Sequence, residues 1–318
     1  MAKDTVLIIA DEDDPHAQNV AREVEQTLNG KAVILNPLSA SSKWELILGL
    51  SEQGETAFTL SVKDYQISNK TLARVWCRDI DWLLALAGRE TDFPTELPTL
   101  SALALLREWL LCMGERVTNP LASLFSSTST VFVAQQAAAH GLRVRRTLTT
   151  NSQDAARSFC GDAASAVIAT SFKTLTNAPG RSSGHRLAHG EFPPGFPSIG
   201  AVFQERPDGK EKVEVTVVHN AVFSVSYPAA CQAVFHDGWL NELAASTRTH
   251  TLPQDMSESL VALVRSLKLS LCTFKLQVSL DDEYVLLEAY PCGGFLFAEI
   301  HTGLPISRAL ASSLLGKG

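Results

Sequence analysis

The chain has 318 residues, of which 45% are apolar and 19% charged, a formal net charge of −7 and a pI of about 5.6. This length allows two or three compact lobes, and the composition is that of an ordinary globular protein. The acidic balance argues against non-specific binding to nucleic acid or to an anionic membrane, and no apolar run approaches the roughly 20 residues that cross a bilayer.

The first residues predict a β-α-β unit. Residues Thr5 to Ala10 form a continuous apolar run, which is typical of a strand buried on both faces. The Asp-Asp-Pro at 13–15 suits the N-cap and first position of a helix that runs to about Leu28, and Ala32 to Leu35 form the next strand. A β-α-β opening predicts a parallel sheet.

The rest of the first third adds two strands and a long apolar helix. The strands are predicted at 56–62 and 74–77, and the second carries Arg78 into a loop. The helix at 100–113 places four large apolar side chains on one face: Leu103, Leu106, Leu110 and Met113. Residues 117–120 end it and begin a new lobe.

Short helices and strands then alternate. Helices are predicted at 131–140, 153–160, 260–267 and 306–315, and strands at 147–150, 165–172 and 201–204. Residues 213–218 and 221–227 pair as a hairpin across His219-Asn220. Residues 177–200 are rich in Gly and Pro, and a loop of this length is usually functional or mobile.

A second hairpin ends in a conspicuous carboxylate. Strands are predicted at 273–279 and 284–289, joined by the acidic turn 280–283. The second strand carries Glu288 into the Pro/Gly-rich loop Tyr-Pro-Cys-Gly-Gly, a way of presenting a metal ligand.

The thiols are predicted to be reduced. The six cysteines are scattered without a CxxC pair, and the N-terminal segment is interpreted as a strand rather than a signal peptide. The expected location is therefore the cytoplasm. The cysteines are Cys77, Cys112, Cys160, Cys231, Cys272 and Cys292.

Six segments in this order carry a family resemblance. They are TVLIIADEDDPHAQNVAREV (5–24), VWCR (75–78), GLRVRRTLTTNSQDAARSF (141–159), FKTL (172–175), VFQE (202–205) and LLEAYPCGGFLFAEIHTGLPISRALASSLL (286–315). Together they resemble the ATP-grasp superfamily and, more narrowly, the graspetide ligases, which are microviridin-type enzymes that modify ribosomal (RiPP) peptides.

The resemblance implies an α/β fold with α+β lobes. A pre-ATP-grasp α/β domain would occupy 1–118, the N-terminal ATP-grasp lobe 119–200 and the C-terminal lobe 201–318. Such ligases use ATP and Mg²⁺ to phosphorylate a carboxylate of a precursor peptide, and a hydroxyl or amine of the same peptide then attacks the acyl phosphate. Cations must neutralise the triphosphate, and oxygen ligands must hold Mg²⁺.

Four residues match the positions that the resemblance implies for nucleotide and metal. Lys173 stands where the family has a phosphate-contacting lysine, and Gln204 and Glu205 stand at the hinge that faces adenine. Glu288 stands at the metal glutamate. Simpler interpretations stay open: a strand-end lysine, an ordinary pair at a strand edge, and a salt-bridge partner, respectively.

Other positions depart from the pattern. The second lysine is replaced by Thr130 and the phosphate arginine by Glu214, while Lys275 and Tyr290 replace the metal aspartate and asparagine. The Asp-Trp-Arg of the family appears as Asp-Gly-Trp-Leu at 237–240, without the arginine. A lysine ammonium repels Mg²⁺, and a glutamate repels a triphosphate. We therefore predict a cross-strand salt bridge between Lys275 and Glu288 that fills the metal position.

Other chemistry has weaker support. A metal pair of His185 and His189 lies in the predicted loop rather than on a helix, and a dyad of Cys292 with a histidine competes with a small buried thiol. Trp76, Trp82 and Trp109 are predicted to be core.

Two functions follow. One is a non-catalytic ATP-grasp protein that binds a precursor peptide or an active ligase, with no assigned catalytic residue. The other is an active ATP-dependent ligase with an altered site that retains Lys173, Gln204 and Glu288. In either case a homodimer or hetero-oligomer is expected, and helix 100–113 is a candidate interface.

Overall fold

The computed structural model describes residues 4–39, 43–80, 82, 97–163, 165–171, 185–187, 200–232 and 239–317. In chain order its strands are β1 (Thr5–Ile9), β2 (Lys31–Leu35), β3 (Trp44–Leu50), β4 (Thr56–Val62), β5 (Tyr65–Ser68), β6 (Leu72–Cys77), β7 (Val117–Thr118), β8 (Arg143–Val144), β9 (Thr147–Thr150), β10 (Val167–Ser171), β11 (His185–Leu187), β12 (Ala201–Glu205), β13 (Glu211–Val218), β14 (Ala221–Pro228), β15 (Arg248–Thr249), β16 (Leu271–Val278) and β17 (Tyr284–Tyr290).

The helices are α1 (Pro15–Arg22), α2 (Leu97–Met113), α3 (Leu121–Ser127), α4 (Thr130–Ala139), α5 (Gln153–Gly161), α6 (Trp239–Ser246), α7 (Gln254–Ser266), α8 (Leu296–Thr302) and α9 (Ile306–Leu314). No described helix is both long and apolar enough to cross a membrane.

The N-terminal domain is built on a parallel sheet of order β2-β1-β6-β7. The predicted β-α-β unit is confirmed: β1 is fully buried, and Asp14 caps α1 by accepting a 2.8 Å hydrogen bond from the backbone of Ala17. The helix predicted to reach Leu28 is α1 followed by a π-helical turn at Glu23–Thr27. Trp76 is fully buried, as predicted.

A small antiparallel sheet of order β3-β4-β5 accompanies this domain. Only β4 was predicted. The apolar run of α2 is also confirmed, because Leu103, Leu106 and Trp109 are fully buried in the core below these strands.

The strands described after β7 form two further sheets, both mainly antiparallel. The smaller has the order β11-β10-β12-β9, and the larger has the order β15-β14-β13-β16-β17-β8, in which only β8 runs parallel to its neighbour. Strand β12 pairs with β10 and β9, so Ala201–Glu205 belongs to the smaller sheet. The predicted domain limits stay a prediction.

One face of the larger sheet is apolar and covered. Val213 and Val215 of β13 and Phe274 of β16 are fully buried and pack with Leu260 and Leu263 of α7. Since side chains alternate along a strand, their polar neighbours lie on the opposite face. Helix α9 returns to the first domain, where Leu310 is buried beside β1.

Candidate functional site

The candidate site lies on the polar face of the larger sheet. Glu214 of β13 stands opposite Lys275 of β16, and Lys275 stands opposite Glu288 of β17. The register shifts by one residue after Lys275, so that Leu287 is the extra residue of a β-bulge. Bulges re-aim neighbouring side chains, and here Glu288 and Tyr290 both point to the side of Lys275.

The predicted salt bridge between Lys275 and Glu288 is confirmed. Lys275 Nζ lies 3.7 Å from Glu288 Oε2 and donates a 3.2 Å hydrogen bond to the hydroxyl of Tyr290. The Tyr290 hydroxyl in turn donates to Glu288, and Lys275 Nζ lies 4.8 Å from the centre of the Tyr290 ring. The two charged side chains are 28% and 33% exposed, so the pair contributes about 1 kcal/mol or less.

Glu214 also accepts a hydrogen bond from β14, the strand on the side away from Lys275. The hydroxyl of Tyr227, a residue of β14 that is 1% exposed, donates a 3.0 Å hydrogen bond to Glu214 Oε1. Each carboxylate of this face therefore accepts from a tyrosine and stands opposite Lys275 in the strand register.

Lys212 belongs to the same face and was missed in the sequence. It lies two residues before Glu214, and burial lowers its pKa to about 8, assisted by the positive charges of Arg206 and Lys275 and opposed by Glu288 and Glu214. The alternation Lys-x-Glu within a predicted strand was the available signal, because residues two apart share a face.

Gln204 and Glu205, the residues predicted to form the hinge, are held by neighbouring arginines. Arg145 donates a 2.8 Å hydrogen bond to Gln204 Oε1, and the amide nitrogen of Gln204 donates to Thr147 at 3.3 Å. Glu205 forms a 3.0 Å ion pair with Arg146. Both polar groups of the Gln204 side chain are thus used within the protein, and their role towards adenine stays a prediction.

Arg145 connects Gln204 with the hairpin of β16 and β17. Its guanidinium also donates to the carbonyl oxygen of Leu287, the bulged residue next to Glu288. Burial lowers the pKa of Arg145, and the charge of Glu288 opposes that shift. Its buried Nε has no hydrogen-bond partner within the part of the chain that the structure describes.

The loop after β17 is anchored from two directions. Asn119, 1% exposed, donates to the carbonyl oxygens of Leu271 at 2.7 Å and Pro291 at 2.5 Å and accepts from the backbone of Ser270 and Leu271. Because Pro291 directly follows Tyr290, Asn119 fixes the end of the strand that carries the site.

The first domain supplies the second anchor. Arg78, 8% exposed, donates a 3.0 Å hydrogen bond to the carbonyl oxygen of Gly293 and forms a 3.3 Å ion pair with Asp14. His16 accepts from the backbone of Leu296, and burial lowers its pKa to about 4, assisted by Arg78 and opposed by Asp14.

The remaining predicted residues lie elsewhere or outside the described residues. Thr130 is the first residue of α4, after the N-cap Ser129. Lys173, His189 and positions 237–238 lie outside the described residues. His185 lies in β11, so the predicted loop at 177–200 was wrong for 185–187.

The described residues around Glu288 do not fit Mg²⁺. This ion requires about six oxygen ligands in octahedral geometry at roughly 2.0–2.1 Å. Here one carboxylate, Glu288, accepts from Tyr290 and stands beside the Lys275 ammonium. Among the described residues, no group of three or more His, Cys, Asp or Glu side chains is placed to hold a metal.

Solved structures with an architecture similar to this chain include a macrocyclase and several ATP-grasp ligases. The macrocyclase MdnC of Microcystis aeruginosa MRC, bound with the precursor peptide MdnA, is 19% identical over 98% of this chain and 99% of its own, with a TM-score of 0.76. A RiPP-associated ATP-grasp ligase of Chryseobacterium gregarium, in complex with ADP and a leader and core peptide, is 18% identical over 100% and 98%, with a TM-score of 0.75.

A third such structure is the ATP-grasp ligase PsnB with a minimal precursor, Mg and ADP. It is 18% identical over 100% of this chain and 98% of its own, with a TM-score of 0.70. This chain has the ATP-grasp fold. No protein-family model matches the sequence, and no curated protein does.

Proposed function

We propose that this chain is a non-catalytic ATP-grasp protein that binds a precursor peptide or an active ATP-grasp ligase. Support for a peptide partner comes from MdnC and the Chryseobacterium gregarium ligase, whose structures contain precursor, leader or core peptides. The single observation that supports a loss of catalysis is the contact of Lys275 with Glu288 and Tyr290, at the position where the resemblance predicts the metal.

The physical argument is one of charge. The Lys275 ammonium lies 3.7 Å from Glu288 and neutralises the carboxylate that a metal would need. The hydroxyl of Tyr290 donates a hydrogen bond to an oxygen of the same carboxylate. Transfer of a phosphoryl group relies on cations that neutralise the charge between the phosphates. Every 1.4 kcal/mol of lost transition-state stabilisation lowers the rate about tenfold. A site that cannot bind the metal cations therefore loses ordinary turnover.

Phosphate release from Mg·ATP tests the proposal directly. The purified chain, with and without a ribosomal precursor peptide, is expected to release no phosphate above the background of a Glu288→Ala control. The double variant Lys275→Asp/Tyr290→Asn restores the oxygen ligands that the resemblance implies, and it should bind Mg²⁺ more tightly. Release by the unaltered chain that grows on addition of peptide, with micromolar Mg·ATP affinity, contradicts the proposal.

The second candidate is an active ligase with an altered site. It is favoured by the survival of Glu288 and by the cation Lys212, whose pKa is affected by the charge of Glu288. If this candidate is correct, Lys173→Ala and Glu288→Ala must each reduce product formation. Unchanged product in both variants rules it out.

A further inference from the structure

The first domain has a groove along the open edge of its parallel sheet. Strand β2 pairs with β1 on one side, and among the described residues no second strand pairs with it. A cavity of about 450 Å³ lies against this edge and is lined by Ala32, Val33 and Ile34. Its walls come from α1 with the π-helical turn that follows and from the turn between β4 and β5, so the edge of β2 lies between two walls.

Main-chain groups of two residues point into this groove. At the start of β2 the N–H of Lys31 donates a 2.9 Å hydrogen bond to the backbone of Asp4, the residue before β1. Alternate residues of a strand bond to opposite sides, so the register with β1 leaves the N–H and C=O groups of Ala32 and Ile34 on the open side. Two donors and two acceptors at a spacing of two residues match the main chain of another extended strand.

The charges that line the groove cancel. Its charged side chains are two acids and two bases, and one pair is already formed, because Lys63 lies 3.0 Å from Glu12. The other two are Arg22 and Glu25. A groove without net charge does not attract a strongly charged ligand such as a phosphate or a polyanion, so this lining favours an uncharged ligand.

We propose that this groove binds an extended, uncharged segment of a partner polypeptide, which adds to β2 as a further strand. The main chain of the segment pairs with Ala32 and Ile34. Alternate side chains of the segment lie on the side of Tyr65, whose ring lines the groove and is 50% exposed. Such binding goes beyond the proposed function, because the described lining residues lie between positions 12 and 65 and none belongs to the larger sheet.

An uncharged peptide that favours the extended conformation is the probe. It is the acetylated and amidated heptapeptide Thr-Val-Thr-Tyr-Thr-Val-Thr with a fluorophore, and its binding to the full chain is followed by fluorescence anisotropy. We expect binding with nearly the same affinity at low and high salt, because no net charge is involved. The same heptapeptide methylated on every main-chain nitrogen keeps the side chains but lacks the donors, and it should bind at least about tenfold more weakly.

Hydrogen exchange, followed by NMR residue by residue, locates the bound probe. In the chain alone, the amides of Ala32 and Ile34 should exchange fast, and those of Val33 and Leu35, which face β1, should exchange slowly. A saturating amount of the probe should slow exchange at Ala32 and Ile34 at least about tenfold and leave Val33 and Leu35 unchanged.

Two variants and a matched control separate the groove from a merely adhesive surface. Ala32→Pro removes an N–H on the open side and spares the bonds to β1, so it should weaken probe binding about tenfold. Tyr65→Ala alters a wall of the groove without touching β2, should weaken binding several-fold, and serves even where Ala32→Pro does not fold. Ile47→Ala is the control, because Ile47 is 61% exposed on β3, the edge strand of the other sheet in this domain, and it should leave the affinity unchanged.

Four results overturn this binding site: no binding of the probe, equal affinity for the methylated heptapeptide, equal affinities of Tyr65→Ala and Ile47→Ala, or slow exchange at Ala32 and Ile34 in the chain alone. Protection of these two amides that rises with protein concentration assigns the edge to a second copy of the chain instead. Melting temperatures of the variants, measured in parallel, exclude unfolding as the cause of a lost signal. None of these measurements uses ATP, so their failure leaves the non-catalytic proposal standing, and phosphate release would refute that proposal whatever they give.

Discussion

Replacement of Asn119 by alanine should destabilise the protein strongly. The side chain makes hydrogen bonds of 2.7 Å to Leu271 O, 2.5 Å to Pro291 O, 2.7 Å to Ser270 N and 3.0 Å to Leu271 N, and it is 1% exposed. At roughly 1 kcal/mol for each hydrogen bond, with a further cost for buried groups left unpaired, the loss is about 3–5 kcal/mol.

Urea unfolding followed by circular dichroism measures this loss. The matched control is Asn220→Ala, since Asn220 is exposed and accepts one 2.8 Å hydrogen bond from Arg265; it should cost about 0.5 kcal/mol or less. Asn119→Asp keeps the two acceptor bonds but cannot donate to the carbonyl oxygens, so it should cost nearly as much as alanine. Equal midpoints for Asn119→Ala and Asn220→Ala would refute the argument that this side chain anchors the loop.

Three further predictions concern burial and charge. Burial and the charge of Arg78 lower the pKa of His16 from 6.5 to about 4, so the folded state binds this proton less readily than the unfolded state. The free energy of unfolding should be full above pH 6.5 and fall by up to about 3 kcal/mol as the pH decreases towards 4. The variant His16→Gln should flatten that pH dependence in urea titrations. A double-mutant cycle of Lys275→Met and Glu288→Gln should give a coupling free energy of about 1 kcal/mol or less in stability, because both side chains are partly exposed. A coupling above about 3 kcal/mol would contradict this exposure and mean a more buried pair. Leu310→Ala, in the buried face of α9, should lower the free energy of unfolding by about 2–5 kcal/mol, measured by thermal unfolding. Leu280→Ala is the control and should lower it by about 0.5 kcal/mol or less, because Leu280 is 71% exposed. Similar values for the two variants would contradict the packing of α9 on the first domain.

Elements with a regular burial pattern were predictable from the sequence. The fully buried β1 and the aspartate-capped α1 follow from an apolar run and an Asp-Pro start, and β13 and β14 follow from two runs around a two-residue turn. Strand β3 was missed because Ile47 and Leu50 are apolar although they are 61% and 73% exposed, which obscures the alternation of apolar and polar residues. Strand β5 has only four residues, too few for a clear pattern.

Some contacts of the candidate site were also predictable from the sequence, and others were not. The pairing of Lys275 with Glu288 was predictable, because both lie in one hairpin whose short turn fixes the register. Contacts between segments far apart in sequence were not. Arg145 reaches both Gln204 and Leu287 from outside their elements, so no local spacing indicates these contacts.

The residues that depart from the family pattern compensate one another. Glu214 stands opposite Lys275, and Lys275 stands opposite Glu288, so opposite charges alternate across three strands. Independent loss of each role would place like or unpaired charges side by side, and these are costly in a partly buried sheet. Tyr290 completes the set, because its hydroxyl lies between the lysine and the carboxylate where a smaller side chain would leave both without that contact. Such mutual pairing is compatible with the proposed binding role, which does not need a metal.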